Sequence, residues 1–125
     1  MIYTTYFAKL KSLPSNVIPI AICAKSPEGY KGLSYKRLAP KYDFFTQWKA
    51  TGDNDYYIKC FKEQVLSELN AIDTMNTLYS IAGTEPGIYD VALVCYEKPS
   101  DFCHRHLVSA WLRENGIACE EFNYN

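Results

Sequence analysis

The sequence has 125 residues, of which 48% are hydrophobic and 22% are charged, so its length and composition fit one folded domain and exclude a disordered chain. Thirteen Lys and Arg residues against fourteen Asp and Glu residues give a formal net charge of −1. This balance excludes a strongly basic nucleic-acid-binding protein, because phosphate contacts need a surplus of cations, and we expect no nucleic-acid partner.

Four segments of the chain are predicted to be strands. Ile2 to Phe7 is rich in aromatic and β-branched residues, and Val17 to Ala24 is apolar at nearly every position. Pro19 cannot donate a backbone hydrogen bond, which predicts that the second strand lies at an edge or begins late. The remaining two strands are Val91 to Glu97, which is the clearest apolar run, and Ile117 to Phe122.

Helices are predicted between these strands. The segments are Tyr42 to Ala50, Asp55 to Leu69, a third helix that ends at Gly83, and a last helix that ends at Asn115-Gly116. We expect Asp53 or Asn54 to cap the second helix, Asp73 to cap the third, and Ser100 or Asp101 to cap the last.

The order of elements predicts the fold class. Buried strands that alternate with helices favour an α/β fold, here a single domain over residues 1–125 with a mostly parallel sheet of about four strands flanked by helices. Open sheets of this class bind ligands beyond the carboxyl ends of their strands. Residues that follow the strands are therefore the first candidates for a functional site.

Five cysteines are spread along the chain, at Cys23, Cys60, Cys95, Cys103 and Cys119. Their number is odd and no Cys-x-x-Cys pair occurs, so a structural zinc site has little support and we expect neither a metal nor a cofactor. Cysteines within apolar runs pack as small hydrophobic groups, which favours a reducing cytoplasm. No signal-peptide pattern or bilayer-length apolar run is present, so no membrane partner is expected.

The most informative segment surrounds Cys103, where the chain leaves a buried strand and enters the last helix. A helix amino terminus carries unpaired N–H groups and about half a positive charge, which attracts anions and favours a thiolate at Cys103. Arg105 adds a planar charged fork suited to phosphate or carboxylate. Glu97, at the end of the strand, is placed to act as a base. Glu97, Cys103 and His104 are therefore the candidate catalytic residues.

Each residue of this segment also has a structural interpretation. His104 falls on the apolar stripe of the helix, where a histidine often bonds a backbone carbonyl. Cys103 is at least as readily an inert packed thiol, and Arg105 can pair with a neighbouring carboxylate. His106 is expected to face solvent near the start of the helix.

A second candidate region is the loop at residues 25–32, which contains two lysines, two glycines and a tyrosine. The glycines allow a close backbone approach, and the tyrosine offers a stacking surface. Because the carboxyl ends of parallel strands meet at one edge, this loop is predicted to converge with the ends of the first and third strands. The predicted ligand-binding residues are Tyr6, Lys9, Lys25, Tyr30, Lys31, Glu97, Cys103 and Arg105.

The segment Cys95-Tyr96-Glu97-Lys98, followed by Cys103-His104-Arg105, resembles the motif of the domain of unknown function four-eighty-eight family, which occurs in bacteria, archaea and phages. The similarity extends to Ile2–Lys9, to Tyr30-Lys31-Gly32 and to Leu38-Ala39-Pro40. Lys25 stands where many longer members have an arginine, which puts a second anion contact in doubt. The resemblance implies an α/β fold and a shared site at the Cys-His-Arg motif, but it implies no reaction.

Three functions are compatible with these features. We expect first a protein that binds a small anionic, nucleotide-like ligand, with sequestration of a nucleotide signal as one role. Three features favour it: the start of the last helix suits an anion, aromatic residues make up 15% of the chain, and the sequence shows no complete catalytic set. Tyr56 and Tyr57 either line such a pocket or cover the surface of the core. The alternative is an enzyme acting on a nucleoside, nucleotide or nucleobase, with Glu97 or Cys103 as base or nucleophile and Arg105 holding a phosphate. The third is an interaction module, and a homodimer is the default oligomer.

Overall fold

The computed structural model describes residues 1–125 and contains five parallel strands. They are β1 (Ile2–Tyr6), β2 (Val17–Ala21), β3 (Leu33–Ser34), β4 (Asp90–Cys95) and β5 (Cys119–Glu121), in the sheet order β3-β2-β4-β1-β5. The α/β class and the parallel sheet are confirmed. The fifth strand, β3, has only two residues, and this length is too short to produce a periodic hydrophobic pattern in the sequence.

Four α-helices accompany the sheet, namely α1 (Tyr42–Thr51), α2 (Asn54–Gln64), α3 (Ala71–Ala82) and α4 (His104–Glu114). Short 3-10 helices occupy Phe7–Ser12, Lys36–Leu38 and Leu66–Glu68. The second predicted helix therefore ends earlier than expected, and its last turn is a separate 3-10 segment. Gly52 and Gly83 end α1 and α3 in the left-handed region, at φ values of 70° and 72°, which favour glycine.

The caps of α2 and α3 show how local side chains set the helix ends. The Asp53 side chain accepts a hydrogen bond from the backbone N–H of Tyr56 at 3.1 Å, as predicted. The predicted cap of α3 is wrong, because Asn70 fills this position and accepts a hydrogen bond from the N–H of Asp73 at 3.0 Å. Asn and Asp are equally good caps, so sequence alone does not choose between two such residues three positions apart.

The core lies between the sheet and the helices. Ile20 of β2 and Leu93 of β4 are paired in register and fully buried, and they belong to one apolar cluster with Phe61 of α2, Leu78 of α3 and Leu112 of α4. Helix α3 packs on β2 and β4, while α4 packs on β1, β4 and β5. These contacts fix where α4 begins relative to the ends of β2 and β4. None of the helices is long and apolar enough to cross a membrane.

Pro19 sits inside β2, opposite Ala92 of β4. On its other side β2 pairs with β3 only at Ile20 and Ala21. The short β3 strand leaves β2 with an open edge at Pro19, where the missing N–H breaks no ladder hydrogen bond. The prediction that this strand lies at an edge or begins late is therefore wrong, because β2 lies between β3 and β4 and begins at Val17, although its β3 side is open at Pro19.

Candidate functional site

A cavity of about 620 Å³ opens at the carboxyl ends of β2 and β4. These strands are neighbours, yet the chain leaves β2 towards β3 at one edge of the sheet and leaves β4 towards β5 at the other. This divergence makes the gap between β2 and β4 the topological switch point of the sheet, which is where open α/β sheets form ligand crevices. Its walls come from the segments after β2 and β4, from α1 and α2, and from the start of α4.

Three aromatic side chains from different elements form one wall of the cavity. Trp48 of α1 lies 5.5 Å from Tyr57 of α2 and 5.4 Å from Phe102, and Tyr57 lies 5.0 Å from Phe102, measured between ring centroids. The indole N–H of Trp48 donates a hydrogen bond to the Asn54 side chain at 2.7 Å, which holds the ring in place. Burial raises the pKa of the Tyr57 hydroxyl, so this residue stays neutral. The wall is a fixed and uncharged stacking surface.

The ionisable side chains around the cavity are few. Lys25 follows β2, Lys49 belongs to α1, and Glu97 follows β4, and Glu97 is the one carboxylate among the lining residues. All three are exposed at the rim. The cavity therefore combines an apolar, aromatic interior with two cationic groups and a single carboxylate at its mouth.

Cys95 and Cys103 also line the cavity, and they are joined by a disulfide bond. The prediction that the cysteines are packed free thiols is therefore wrong for Cys95 and Cys103. Cys23, Cys60 and Cys119 are free and buried. The two half-cystines are eight residues apart, at the end of β4 and at the cap position of α4. The predicted capping of α4 by Ser100 or Asp101 is also wrong, because Cys103 takes the position and no side chain caps the first N–H groups.

His104 is the first residue of α4 and is buried at the base of the cavity. Its Nε2 atom lies 2.7 Å from the backbone oxygen of Ile22, just beyond β2, and its Nδ1 atom lies 3.9 Å from Cys95 Sγ. The backbone contact agrees with the structural interpretation of this residue. Burial lowers the pKa of His104 to about 4, so its imidazole is neutral at physiological pH.

Arg105 lies outside the cavity lining and is fully buried. Its Nε and Nη2 atoms donate to the two carboxylate oxygens of Glu121 at 3.1 and 3.0 Å, and Nη1 donates to the backbone oxygen of Glu97 at 2.6 Å. The ring of Tyr6 stands 5.7 Å from the guanidinium carbon. The Arg105 guanidinium, which was predicted to bind a ligand anion, is thus engaged with the Glu121 carboxylate of the same chain. Its hydrogen bonds connect α4 to β5 and to the residue that follows β4.

The candidate site residues were predicted to meet beyond the carboxyl ends of the strands, and four of them line the cavity. Lys25, Glu97, Cys103 and His104 line the cavity. Besides Arg105, four predicted residues lie outside the cavity. Tyr6 packs on Arg105, and Lys9 Nζ lies 5.9 Å from the ring centroid of Tyr124. Tyr30 packs on Phe7 and donates to the backbone oxygen of Leu33, while Lys31 is exposed in the loop. Parallel strands end at one edge, but alternate residues beyond them turn to opposite faces of the sheet.

His106 differs from its predicted position in solvent. The residue is half-buried, and its Nε2 atom is buried without a hydrogen-bond partner. Burial, followed by the positive charge of Arg105, lowers the pKa of this imidazole. The prediction that His106 faces solvent is therefore wrong.

The contribution of α1 to the site was not predicted from the sequence. Tyr42, Phe45, Thr46 and Lys49 line the cavity together with Trp48. The first four follow the i, i+3, i+4, i+7 spacing of one helix face, which is the available signal. Tyr42 is 83% exposed, which distinguishes this aromatic face from an ordinary core stripe. Of the two alternatives for Tyr56 and Tyr57, lining a pocket is right for Tyr57, whereas Tyr56 does not line the cavity.

The fold and the site define a small parallel α/β protein with an aromatic cavity at its switch point. A family model described as the Active DUF488-N3 subclade matches residues 6–116, and the chain therefore belongs to the DUF488 family. Curated proteins and solved structures give no match to the chain.

Proposed function

We propose that the cavity between β2 and β4 binds a small planar ligand that carries negative charge, with nucleotides as the expected class. The observation that carries this proposal is the aromatic wall of Trp48, Tyr57 and Phe102 at the switch point of the sheet. A volume of about 620 Å³ lies in the range of small-molecule sites, which are mostly apolar with a few polar groups. Planar bases stack on such rings.

Charge at the mouth of the cavity supports an anionic ligand. Lys25 and Lys49 stand at the rim, and α4 begins at the base with no side chain on its first N–H groups. Because Arg105 is engaged with Glu121, the anion-binding role that the sequence analysis gave to this arginine passes to the two lysines and to the amino end of α4.

Trp48 provides a direct test of the proposal. The chain has two tryptophans, and a Trp111→Phe variant leaves Trp48 as the only indole. A nucleotide that stacks on the cavity wall is expected to quench the emission of this variant saturably and to raise the melting temperature of the unmodified protein. Lys49→Gln is expected to weaken binding about three- to tenfold, because one charged contact is lost.

Lys62→Gln is the matched control, since Lys62 is exposed on α2 and lies outside the cavity lining. This variant is expected to bind like the unmodified protein. If a panel of nucleosides and nucleotides at millimolar concentration changes neither the Trp48 emission nor the melting temperature, the proposal is wrong. Equal losses in Lys49→Gln and Lys62→Gln would place the binding outside the cavity.

A second candidate function is an enzyme that acts on a nucleoside, nucleotide or nucleobase. Two observations favour it: Glu97 is the one carboxylate of the cavity, and the matched subclade is described as active. In this proposal Glu97 acts as general acid or base on a substrate stacked against the aromatic wall.

Glu97→Gln tests this second candidate. The change keeps the size of the side chain and removes its proton-transfer capacity, so we expect binding to persist while turnover falls by about 100-fold or more. Mass spectrometry of nucleosides and nucleotides incubated with each protein measures the turnover. Substrates that remain chemically unchanged with the unmodified protein, or a Glu97→Gln variant with full turnover, would contradict this candidate.

A cytoplasmic location remains part of the proposal. Three of the five cysteines are free thiols, a state that reducing compartments maintain. In the same compartment the Cys95–Cys103 disulfide would be exposed to thiol reductants through the cavity that it lines.

A further inference from the structure

Three metal-ligating atoms meet where the cavity reaches the junction of β4 and α4. Cys95 Sγ, Cys103 Sγ and a ring nitrogen of His104 all lie within 4.8 Å of one another, and all three residues are buried. We propose that reduction of the Cys95–Cys103 disulfide converts this cluster into a zinc site with two thiolate ligands, one imidazole ligand and a fourth position open to the cavity. The zinc site is independent of the nucleotide ligand proposed above, since it depends on these three side chains alone.

The chemistry of the conversion balances with a thiol reductant. Two thiols, or one dithiol, supply two electrons and two protons to the disulfide, so that the S–S bond breaks, two cysteine thiols form, and the reductant leaves as its own disulfide. Zn²⁺ then replaces the two thiol protons, which pass to solvent, and the imidazole donates a lone pair. The two thiolates neutralise the charge of the cation.

The orientation of His104 suits a ligand. A backbone carbonyl only accepts hydrogen bonds, so Nε2 donates its hydrogen to the Ile22 oxygen at 2.7 Å. The proton on Nε2 leaves a lone pair on Nδ1, the atom that lies 3.9 Å from Cys95 Sγ. A hydrogen bond from the far nitrogen to a backbone carbonyl is the usual support of a metal-bound histidine. The ring of Phe61, 5.7 Å away, packs beside the imidazole.

The backbone spacing of the two cysteines also suits a shared metal. Their Cα atoms are 7.5 Å apart, whereas disulfides usually span about 4.4–6.8 Å. Two sulfur ligands at about 2.3 Å from a tetrahedral zinc stand about 3.8 Å from each other. A zinc ion therefore accommodates the observed separation of the two backbones, with the sulfur atoms further apart than in the covalent bond.

Nearby charge favours the thiolate form that a metal requires. Arg105 Nη1 lies 3.8 Å from Cys95 Sγ, and Cys103 occupies the cap position of α4, where the helix dipole stabilises a negative charge. The positive charge of Arg105 is itself balanced by Glu121. The cluster thus adds no uncompensated charge to the interior once zinc is bound.

The fourth coordination position decides what such a site does. Cys95, Cys103 and His104 all line the cavity, so in this proposal the fourth position lies on the cavity side of the cluster. Zinc sites with three protein ligands and an open position bind water or substrate, whereas closed four-ligand sites are structural. The cluster therefore belongs to the open type, with Glu97 in the lining of the same cavity.

Zinc uptake before and after reduction tests the proposal. The full-length protein is reduced with a phosphine, desalted without oxygen, and titrated with Zn²⁺ against a chromophoric chelator. We expect one equivalent of zinc to bind to the reduced protein and none to the disulfide-bonded protein. Co²⁺ in place of zinc is expected to show the charge-transfer absorption of thiolate ligands and the intense visible bands of tetrahedral geometry.

Two variants identify the ligands. Cys103→Ala is expected to weaken zinc binding at least about tenfold, whereas Cys60→Ala is expected to bind like the parent, and the two cysteines are matched because each is 6% exposed. His104→Gln keeps a hydrogen-bond donor for the Ile22 oxygen but removes the imidazole ligand, so it is also expected to weaken zinc binding. This variant tests the ligand assignment if Cys103→Ala fails to fold.

Absence of zinc uptake by the folded, reduced protein would overturn the proposal. Equal uptake by the disulfide-bonded protein would overturn the dependence on reduction. Unchanged affinity in both folded ligand variants would assign the metal to other residues.

Discussion

Arg105→Ala is expected to lower the free energy of unfolding by about 3 kcal/mol. This value is the low end of the range for removing one partner of a buried ion pair, because Arg105 is fully buried whereas the Glu121 side chain is 26% exposed. The guanidinium is fully buried and makes three hydrogen bonds to oxygen, two to the Glu121 carboxylate and one to the Glu97 backbone, and Nη1 also donates to Cys95 Sγ at 3.8 Å. Its loss leaves a void between α4, β5 and the end of β4, and it leaves the Glu97 carbonyl without this donor. Urea unfolding of the variant and the parent measures the difference.

Arg113→Ala in the same helix is the matched control for this prediction. Arg113 is exposed, and its side chain donates to Ser109 and to the backbone oxygen of Cys119, so we expect a loss of about 1 kcal/mol. Arg105→Lys keeps the charge without the two-pronged geometry, and it provides a folded variant if alanine abolishes folding. A loss in Arg105→Ala no larger than that in Arg113→Ala would contradict the structural role of the buried pair.

The same variants separate stability from ligand binding. In the proposed site the anion meets the lysines and the α4 amino end, so folded Arg105→Lys is expected to bind nucleotides within about twofold of the parent. If folded Arg105→Lys binds nucleotides much more weakly than the parent, the guanidinium contacts the ligand. That result would contradict a purely structural role for Arg105.

Acidification is expected to destabilise the protein through His104. The pKa of this imidazole is about 4 in the folded protein, because burial disfavours its charged form, against an ordinary value of 6.5. At a pH between these two pKa values, His104 is protonated in the unfolded chain and neutral in the folded protein. The free energy of unfolding therefore falls as the pH falls through this window. From pH 7 to pH 5 we expect a loss of about 2 kcal/mol, at 1.36 kcal/mol per pH unit.

Variants of the two histidines assign this pH dependence. The measurement is urea unfolding of the metal-free, disulfide-bonded protein at several pH values. His104→Gln is expected to lose most of the slope, while His106→Gln is expected to keep most of it, because His106 is only half-buried. The pKa of His106 is also lowered by burial, so its smaller effect has the same sign. An unchanged slope in His104→Gln would show that the buried imidazole is not the cause.

Much of the fold is predictable from local patterns of residues. The apolar runs that begin at Val17 and Val91 form β2 and β4 as predicted, and α-helices occupy each of the four predicted helical regions. Helix ends were predictable at Gly52 and Gly83, because a left-handed residue there favours glycine. The two-residue strand β3 left no pattern, and its position depends on pairing with β2 alone.

The candidate site was predictable only in part. Motif and topology identified Glu97, Cys103 and His104 at the junction of β4 and α4, and they line the cavity as expected. The aromatic wall required knowledge of how α1 and α2 fold back over the sheet, since Trp48 and Phe102 are far apart in the sequence and in contact in the structure. Long-range packing of this kind has no signature within a short window of residues.

The sequence by itself determined the parallel α/β class and the presence of a chemically unusual segment at the start of α4. It did so because strand and helix periodicity are local properties of the chain. The tertiary structure alone decided the use of each side chain in that segment. A guanidinium, a thiol and an imidazole take their roles from their partners. The strand order brings Glu121 and the Ile22 carbonyl to this segment, and the turn between β4 and α4 brings Cys95 to Cys103.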